Sequence, residues 1–302
     1  MPELRDLDED RLVWIMGSSR SGSTWLLRML AELEGAVPID DPHIGHHLGV
    51  WRPIPLAWAT ASEQPELSTL REVKRDKPGY FFADRYAATW RPLLRELIGA
   101  RFAAQAAANG QRKPLVIVKE PGSQAAALLM SMFPRSRLVF LLRDGRDVVD
   151  SWLAAYRDGS WAQEEGAFPL AEHGREAFIR WQASVWTYRT RSVADAYAAH
   201  DPARRVLVKY EDLLADPVVA LRRICHAAGV ATEPSKLERI AAAHDIDAVP
   251  TDQRGPDQPV RQGRSGGWRN SLSADERQAL LEEMGPELVR YGYLGPPLER
   301  VA

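Results

Sequence analysis

Cysteine is nearly absent from this chain of 302 residues, which contains only Cys225. A single cysteine excludes an intramolecular disulfide and is typical of proteins from a reducing compartment. No apolar run approaches the roughly 20 residues that a membrane-spanning helix needs. Residues 1–17 also lack the basic start and apolar core of a signal peptide. These absences predict a cytoplasmic protein without stable membrane insertion.

An excess of charge of either sign is also absent. The chain has 39 lysines and arginines against 41 aspartates and glutamates, for a formal net charge of −2. No overall field would therefore attract nucleic acid, and any site for an anion must be local. We therefore expect no nucleic-acid partner. The histidines and the cysteine show no spacing of metal ligands, so we expect no bound metal either. The preference for arginine and alanine over lysine suggests a genome rich in G and C, and with it a bacterial source.

Short apolar runs alternate with stretches of helical periodicity. Four such runs predict buried strands: residues 12–16, 115–118, 137–142 and 206–208. Strands joined by helices predict right-handed β-α-β units, and hence an α/β fold whose parallel sheet is flanked by helices in three layers. With 45% hydrophobic residues, the chain can bury the core of one large domain, 1–302. We expect the protein to be a monomer or a homodimer.

Residues 36–80 interrupt this alternation. They are rich in proline, tryptophan, histidine and glycine, lack a steady period, and are too long for a simple connection. We predict that they form an excursion that faces the substrate. Trp51 and Trp58 within it, with Trp90 nearby, are candidates for lining an apolar pocket.

The first of three candidate anion-binding segments is Gly17–Trp25, between a predicted strand and a predicted helix. In this context, successive backbone N–H groups and a helix N-terminus surround a phosphate. Nucleoside triphosphatases carry a lysine at the position of Ser23, and its absence argues against ATP. Arg20 instead supplies a cation for a 5′ phosphate and the group attached to it. Ser21, Ser23 and Thr24 supply hydroxyl groups.

The second segment is Leu141–Trp152. Arg143 follows a predicted strand, and Ser151 lies eight positions later in a helix that Asp144 can cap. At the carboxyl edge of a parallel sheet, the arginine can hold a second phosphate by paired hydrogen bonds, and the serine hydroxyl adds a third donor. The alternative is structural, because Arg–Asp pairs at helix starts commonly stabilise each other.

The third segment is Arg261–Asn270, a loop with three glycines and three arginines. Glycines let a backbone approach a phosphate closely, and arginines neutralise its charge. Alone, the segment could equally be a charged surface loop. Its interpretation therefore depends on the other two segments.

Together these segments resemble the family of nucleotide-dependent sulfotransferases, which share a fold similar to that of P-loop nucleoside triphosphatases. Arg20–Trp25 is similar to the family's 5′-phosphosulfate loop, with arginine in place of lysine. Arg143 and Ser151 match its 3′-phosphate motif, and Arg261-Gln262-Gly263 begins a stretch similar to its carboxyl-terminal loop. The resemblance implies that Trp25 stacks on adenine and that Tyr210, in Val208–Leu213, contacts the base. It extends from about residue 13 to residue 270 and implies 3′-phosphoadenosine 5′-phosphosulfate (PAPS) as donor, without a metal.

The resemblance also implies how catalysis would work. Negative charge develops on the phosphate oxygen that leaves, and fixed cations and N–H donors would stabilise it. Arg20, the backbone N–H groups of residues 22–24, and Lys119 are the candidates. The acceptor would be a hydroxyl, less readily an amine, on a small molecule, a lipid or a secondary metabolite.

The general base is missing from its place in the family's small-molecule enzymes, where a histidine lies two residues after the lysine. This sequence has Pro121 there. Glu120 is the nearest replacement, because a carboxylate serves as the general base in other branches of the family. Desolvation would raise the pKa of Glu120 toward the range useful for a base. A salt bridge is its alternative role. His43, in the run Asp40–His47, is the other candidate base.

Two rival functions stay open. A P-loop nucleotide kinase would share the strand, loop and helix, but the missing lysine at Ser23 argues against it. A nucleotide-binding module without transfer activity would account for the missing histidine.

Overall fold

The computed structural model describes residues 7–48, 54–55, 67–111, 113–157, 174–245 and 263–295, with the backbone alone at 46, 54 and 55. By their contacts the residues divide into two compact units. One comprises Met1–Leu142 and Arg191–Asp245, and the other comprises Arg143–Thr190 and Ile246–Ala302. The expectation of one domain over 1–302 stays a prediction.

The strands of the described residues are, in chain order, β1 (Leu12–Met16), β2 (Ala36–Asp40), β3 (Ile54–Pro55), β4 (Leu67–Ser68), β5 (Leu115–Lys119), β6 (Arg137–Leu142) and β7 (Arg205–Lys209). The α-helices there are α1 (Ser23–Ala31), α2 (Ile44–His47), α3 (Leu70–Lys74), α4 (Ala87–Ala108), α5 (Ala126–Met132), α6 (Gly145–Ala155), α7 (Arg175–Ala199), α8 (Tyr210–Ala215), α9 (Pro217–Ala228), α10 (Pro234–Ala243), α11 (Trp268–Ser271) and α12 (Ala274–Arg290). None of these helices is both long enough and apolar enough to span a bilayer.

The first unit contains a parallel sheet of five strands in the order β2-β5-β1-β6-β7. Strands β1 and β5 are buried along their whole length, as the continuous apolar runs predict. The predicted α/β fold with a parallel sheet flanked by helices is confirmed, and the predicted strands at 12–16 and 137–142 have the observed bounds.

Side chains alternate between the two faces of this sheet. On one face, Val13 and Ile15 belong to a core that includes residues of α1, α9 and α10. On the other face, the Trp14 ring lies 5.8 Å from both Phe102 of α4 and Phe133. Helices therefore cover both faces of the strand that leads into the first candidate segment.

Strand β2 is not predicted by the sequence, which assigns its residues to the excursion 36–80. Only Val37 and Ile39 are buried in it, and Pro38 interrupts its apolar pattern. Proline is tolerated because β2 lies at the sheet edge, bonded to β5 alone. The short pattern was therefore too weak to predict a strand.

The rest of the excursion is described in part. β3 pairs antiparallel with β4, and Thr69 begins α3 with a capping box completed by Glu72. Trp90 is buried, and its indole N–H donates to the Ala83 carbonyl, which is a packing role. Trp51 and Trp58 lie outside the described residues, so the predicted apolar pocket stays a prediction.

The second unit is helical where it is described. Asp144 caps α6 by accepting from the Arg146 N–H, and Ser273 with Glu276 forms a capping box at the start of α12. A Cβ on Gly145 would lie 2.7 Å from the Trp186 ring of α7 and 2.8 Å from the Met284 sulfur. The first turn of α6 is therefore packed tightly between α7 and α12.

Candidate functional site

The loop after β1 requires glycine at both ends. A Cβ on Gly17 would lie 1.9 Å from the Leu141 carbonyl oxygen of β6, so only glycine fits beside that strand. Gly22 is the N-cap of α1 with φ 84°, and a Cβ there would lie 2.6 Å from the Tyr210 ring. Ser123 holds the loop's beginning, since its hydroxyl accepts from the Gly17 N–H at 3.1 Å and donates to the Gly17 carbonyl.

The backbone of Arg20 is left-handed, with φ 67°, a conformation that residues other than glycine rarely adopt. Ser21 is buried, and its hydroxyl has no hydrogen-bond partner among the described residues. Ser23 and Thr24 form the first turn of α1, where backbone N–H groups have no partner within the helix. This combination of N–H groups, hydroxyls and a cation suits a phosphate.

Lys119 contributes a buried ammonium at the end of β5. Its Nζ donates to Thr24 Oγ1 at 2.8 Å and pairs with Asp40 Oδ1 at 2.6 Å and Asp41 Oδ2 at 3.0 Å. The side chain of Lys119 is 9% exposed, whereas those of Asp40 and Asp41 are 53% and 43% exposed. The ammonium thus joins the first turn of α1 to two accessible carboxylates.

The register of the sheet explains why these groups meet. Lys119 is paired with Ile15 of β1 on one side and with Asp40 of β2 on the other. In parallel strands the carboxyl ends reach the same edge, so the segments after β1, β2 and β5 begin side by side. Sequence spacing alone does not reveal this, because β2 was not predicted.

Glu120, the residue after Lys119, contacts the start of α2. Its carboxylate accepts from the backbone N–H of Ile44 at 3.0 Å, of Gly45 at 3.5 Å and of Gly122 at 2.7 Å. The side chain is buried, and burial raises the pKa of Glu120, while these hydrogen bonds and the charge of His43 lower it less. The predicted salt bridge of Glu120 does not form with any described residue.

The run after β2 has an unusual backbone. Asp41 and His43 both have positive φ, at 47° and 54°. His43 and His47 are exposed, and the side chain of His46 is not described. Left-handed residues other than glycine store conformational energy and concentrate at functional sites.

Two aromatic residues lie behind the loop. Trp25 of α1 and Tyr210 of α8 have ring centroids 6.2 Å apart, and the Trp25 indole donates to the His244 carbonyl at 2.8 Å. Tyr210 also contacts the position of Gly22, as described above. The two predicted adenine contacts therefore lie together beside the loop.

The second unit carries the predicted 3′-phosphate residues. Ser151 is buried on α6, and Arg143 immediately precedes the N-cap of that helix. The Arg143 guanidinium donates to the Arg264 carbonyl at 3.1 Å, which ties it to the third segment. Gly263 has φ 56°, while Arg261 and Gln262 lie outside the described residues.

The carboxylate of Asp147 holds the same loop. It accepts from the N–H of Gly266 at 2.6 Å, from the N–H of Trp268 at 3.3 Å, and from the Ser265 hydroxyl at 3.4 Å. This role of Asp147 was not predicted from the sequence. The only available signal was the second aspartate of the run Arg143-Asp-Gly-Arg-Asp147.

The sequence model of the sulfotransferase family matches residues 13–234, which include the loop after β1, Lys119, α6 and Tyr210. The chain belongs to the sulfotransferase family. No curated protein sequence matches this sulfotransferase. Groups of histidine, cysteine, aspartate or glutamate that could hold a metal are absent from the described residues.

Solved structures resemble this sulfotransferase in fold. Mouse sulfotransferase SULT7A1, complexed with PAP, is 14% identical with a TM-score of 0.56 over 95% of this chain and 89% of its own. Sulfotransferase STF9 from Mycobacterium avium is 16% identical, with a TM-score of 0.58 over 99% and 80%. Retinol dehydratase, in complex with androsterone and inactive cofactor PAP, is 13% identical, with a TM-score of 0.50 over 97% and 83%.

Proposed function

We propose that this protein transfers the sulfuryl group of PAPS to a hydroxyl group of a small-molecule, lipid or secondary-metabolite acceptor. The observation that carries the proposal is the hydrogen bond from buried Lys119 to Thr24 in the first turn of α1. It sets a lysine ammonium at the helix N-terminus although the loop itself has Ser23 in place of the triphosphatase lysine. Two similar folds were solved with PAP, the product that PAPS leaves after transfer.

In this proposal the loop binds the 5′ end of the donor. The N–H groups of residues 22–24 and the Ser21 hydroxyl surround the 5′ phosphate, and Arg20 neutralises it. Lys119 stabilises the charge that develops on the bridging oxygen as the S–O bond breaks. Trp25 and Tyr210 contact adenine, and Arg143 and Ser151, with Arg261, Gln262 and Gly263, bind the 3′ phosphate.

The acceptor's proton must pass to a base, and three side chains are candidates. Glu120 and His43 are the candidates from the sequence. Both oxygens of Glu120 accept from backbone N–H groups, which favours a structural role in positioning α2. Asp41 is an accessible carboxylate 3.0 Å from the Lys119 ammonium, and we place the base there.

The acceptor is proposed to have a sizeable apolar part. Retinol dehydratase, which has a similar fold, was crystallised with androsterone. In this chain Phe81 is 79% exposed and packs edge-on against Phe82, with ring centroids 4.9 Å apart. An exposed aromatic residue directly after the excursion 36–80 is consistent with an apolar acceptor.

The test is a comparison of nucleotides followed by an assay of transfer. Calorimetric titration with adenosine 3′,5′-bisphosphate (PAP) and with ATP is expected to show tighter binding of PAP. Turnover of labelled PAPS is then measured with phenols, sterols and other hydroxylated acceptors. Tighter binding of ATP would favour the kinase, and tight PAP binding without transfer to any acceptor would favour the inactive module.

A further inference from the structure

A buried carboxylate on α6 has no role in the proposed chemistry. Asp147 is 1% exposed, and within the described residues no lysine, arginine or histidine nitrogen pairs with it. A buried charge is costly unless hydrogen bonds and a favourable field compensate it. Asp147 has both, since three donors reach it from the loop 263–268 and it occupies the first turn of α6, where the helix dipole favours negative charge.

The three donors fix the shape of the loop. Two of them are backbone N–H groups, at Gly266 and Trp268, so the carboxylate holds the main chain itself. Gly266 has φ 82°, and a Cβ there would lie 2.5 Å from Arg269 Nη1. The turn at Gly266 is therefore both left-handed and crowded.

Neighbouring residues of α6 reinforce the same contact. The Trp268 ring lies 4.1 Å from the Arg146 guanidinium carbon and 4.6 Å from that of Arg269, so two cations contact one indole. Arg146 is itself held by Asp144 at 2.7 Å. Arg143, just before this turn, donates to the Arg264 carbonyl of the loop at 3.1 Å.

We propose that Asp147 is a positioning residue that holds the loop 263–268 beside Arg143, and that this arrangement gives the protein its selectivity for a 3′-phosphorylated nucleotide. The proposal rests on the proposed function, in which Arg143 binds the 3′ phosphate. Asp147 does not touch the nucleotide. It fixes the loop carbonyl that orients the Arg143 guanidinium, and a bidentate contact to phosphate depends on that orientation.

The test compares two nucleotides that differ only in the 3′ phosphate, PAP and adenosine 5′-phosphate. The variant is Asp147→Asn, which keeps the shape of the side chain and removes its charge. The matched control is Asp275→Asn, because Asp275 is an exposed carboxylate in the first turn of α12. Dissociation constants are measured calorimetrically for each protein, with thermal unfolding alongside.

Asp147→Asn is expected to weaken PAP binding about tenfold or more, the effect of losing one charge-assisted interaction. Binding of adenosine 5′-phosphate should change less than about twofold, and the control should bind both as the wild type does. Equal weakening of the two nucleotides, or an unchanged preference for PAP, would overturn the proposal. A wild type without preference for PAP would instead contradict the proposed function.

A second variant covers the case in which Asp147→Asn does not fold. Gly266→Ala changes the other partner of the contact, because its methyl group must displace the Arg269 guanidinium and strain the left-handed turn. It is expected to reduce the preference for PAP over adenosine 5′-phosphate in the same way. A preference equal to that of the wild type would overturn the proposal.

Discussion

The ammonium of Lys119 lies 2.8 Å from the hydroxyl of Thr24, so the end of β5 is joined to the first turn of α1. An anion bound at the N-terminus of α1 would therefore meet a lysine from a neighbouring strand. Triphosphatases supply the corresponding cation from the loop itself. The same ammonium contacts Asp40 and Asp41, which keeps a buried positive charge paired.

Replacing Lys119 by methionine is expected to lower kcat about 100-fold or more, the loss typical of removing one donor from a developing negative charge. Binding of PAP should weaken much less, since the loop and Arg20 still hold the 5′ phosphate. Steady-state kinetics with PAPS and calorimetry with PAP measure the two effects. Lys113→Met, which changes an exposed lysine before the same strand, is the control. A parallel loss of PAP affinity would show that Lys119 serves ground-state binding.

Arg20 allows charge and backbone conformation to be separated. Arg20→Gly removes the guanidinium but suits the left-handed φ of 67°, so folding stability should be retained or increased while nucleotide affinity falls about tenfold or more. Arg20→Ala loses the same charge but keeps the strain, so it should be about 1 kcal/mol less stable than Arg20→Gly. Thermal unfolding and titration with PAP distinguish the pair. Arg28→Ala on the exposed side of α1 is the control, and undiminished affinity in Arg20→Gly would contradict the role of the cation.

Much of the fold was predictable because its central strands are continuous apolar runs. Leu12–Met16 and Arg137–Leu142 were predicted with the observed bounds. The glycines and hydroxyl residues after the first of them also predicted a loop that leads into a helix, which the structure contains. Edge strand β2 was missed because only Val37 and Ile39 are buried in it. The contacts of Lys119 with Asp40 and Asp41 depend on that strand, and they could not be predicted without it.

The role of Asp147 escaped prediction for a different reason. Its partners lie 119 and 121 positions away in the sequence. Local patterns report helix starts, such as the cap at Asp144, but carry no information on which distant backbone N–H groups a buried carboxylate accepts from. Such contacts become visible only when the loop and helix α6 are seen together.

Charge reversal at Arg143 tests the assignment of the 3′ phosphate. Arg143→Glu should weaken PAP about 100-fold, because an attractive contact becomes a repulsive one, and should affect adenosine 5′-phosphosulfate, which lacks the 3′ group, by less than about threefold. Competition titrations with both ligands measure the ratio. Arg180→Glu, which changes a surface arginine paired with Glu176 and Glu282, is the control. Equal losses for the two ligands would contradict the assignment.

The base is tested by comparing Asp41→Asn with Glu120→Gln. Asparagine tolerates the left-handed backbone at residue 41, so Asp41→Asn should keep its stability and lose about 100-fold or more in kcat. Glu120→Gln should mainly lower stability, because one amide group replaces a carboxylate that accepts from three backbone N–H groups. If Glu120→Gln is stable but inactive while Asp41→Asn is active, the base is Glu120. His43→Asn in the same assay tests the third candidate.

The pH dependence of stability gives Glu120 a further signature. Burial raises the pKa of its carboxyl above the unfolded value, so the native state binds the proton more tightly than the unfolded state does. The contribution of Glu120 to stability should therefore be largest below the unfolded pKa and fall as the pH rises through the folded pKa. The glutamine side chain of Glu120→Gln does not titrate. The difference in stability between wild type and variant should therefore change between the unfolded and folded pKa values of Glu120. Denaturant unfolding of both proteins at a series of pH values measures it. A pH-independent difference would show that the carboxyl titrates alike in the folded and unfolded chains.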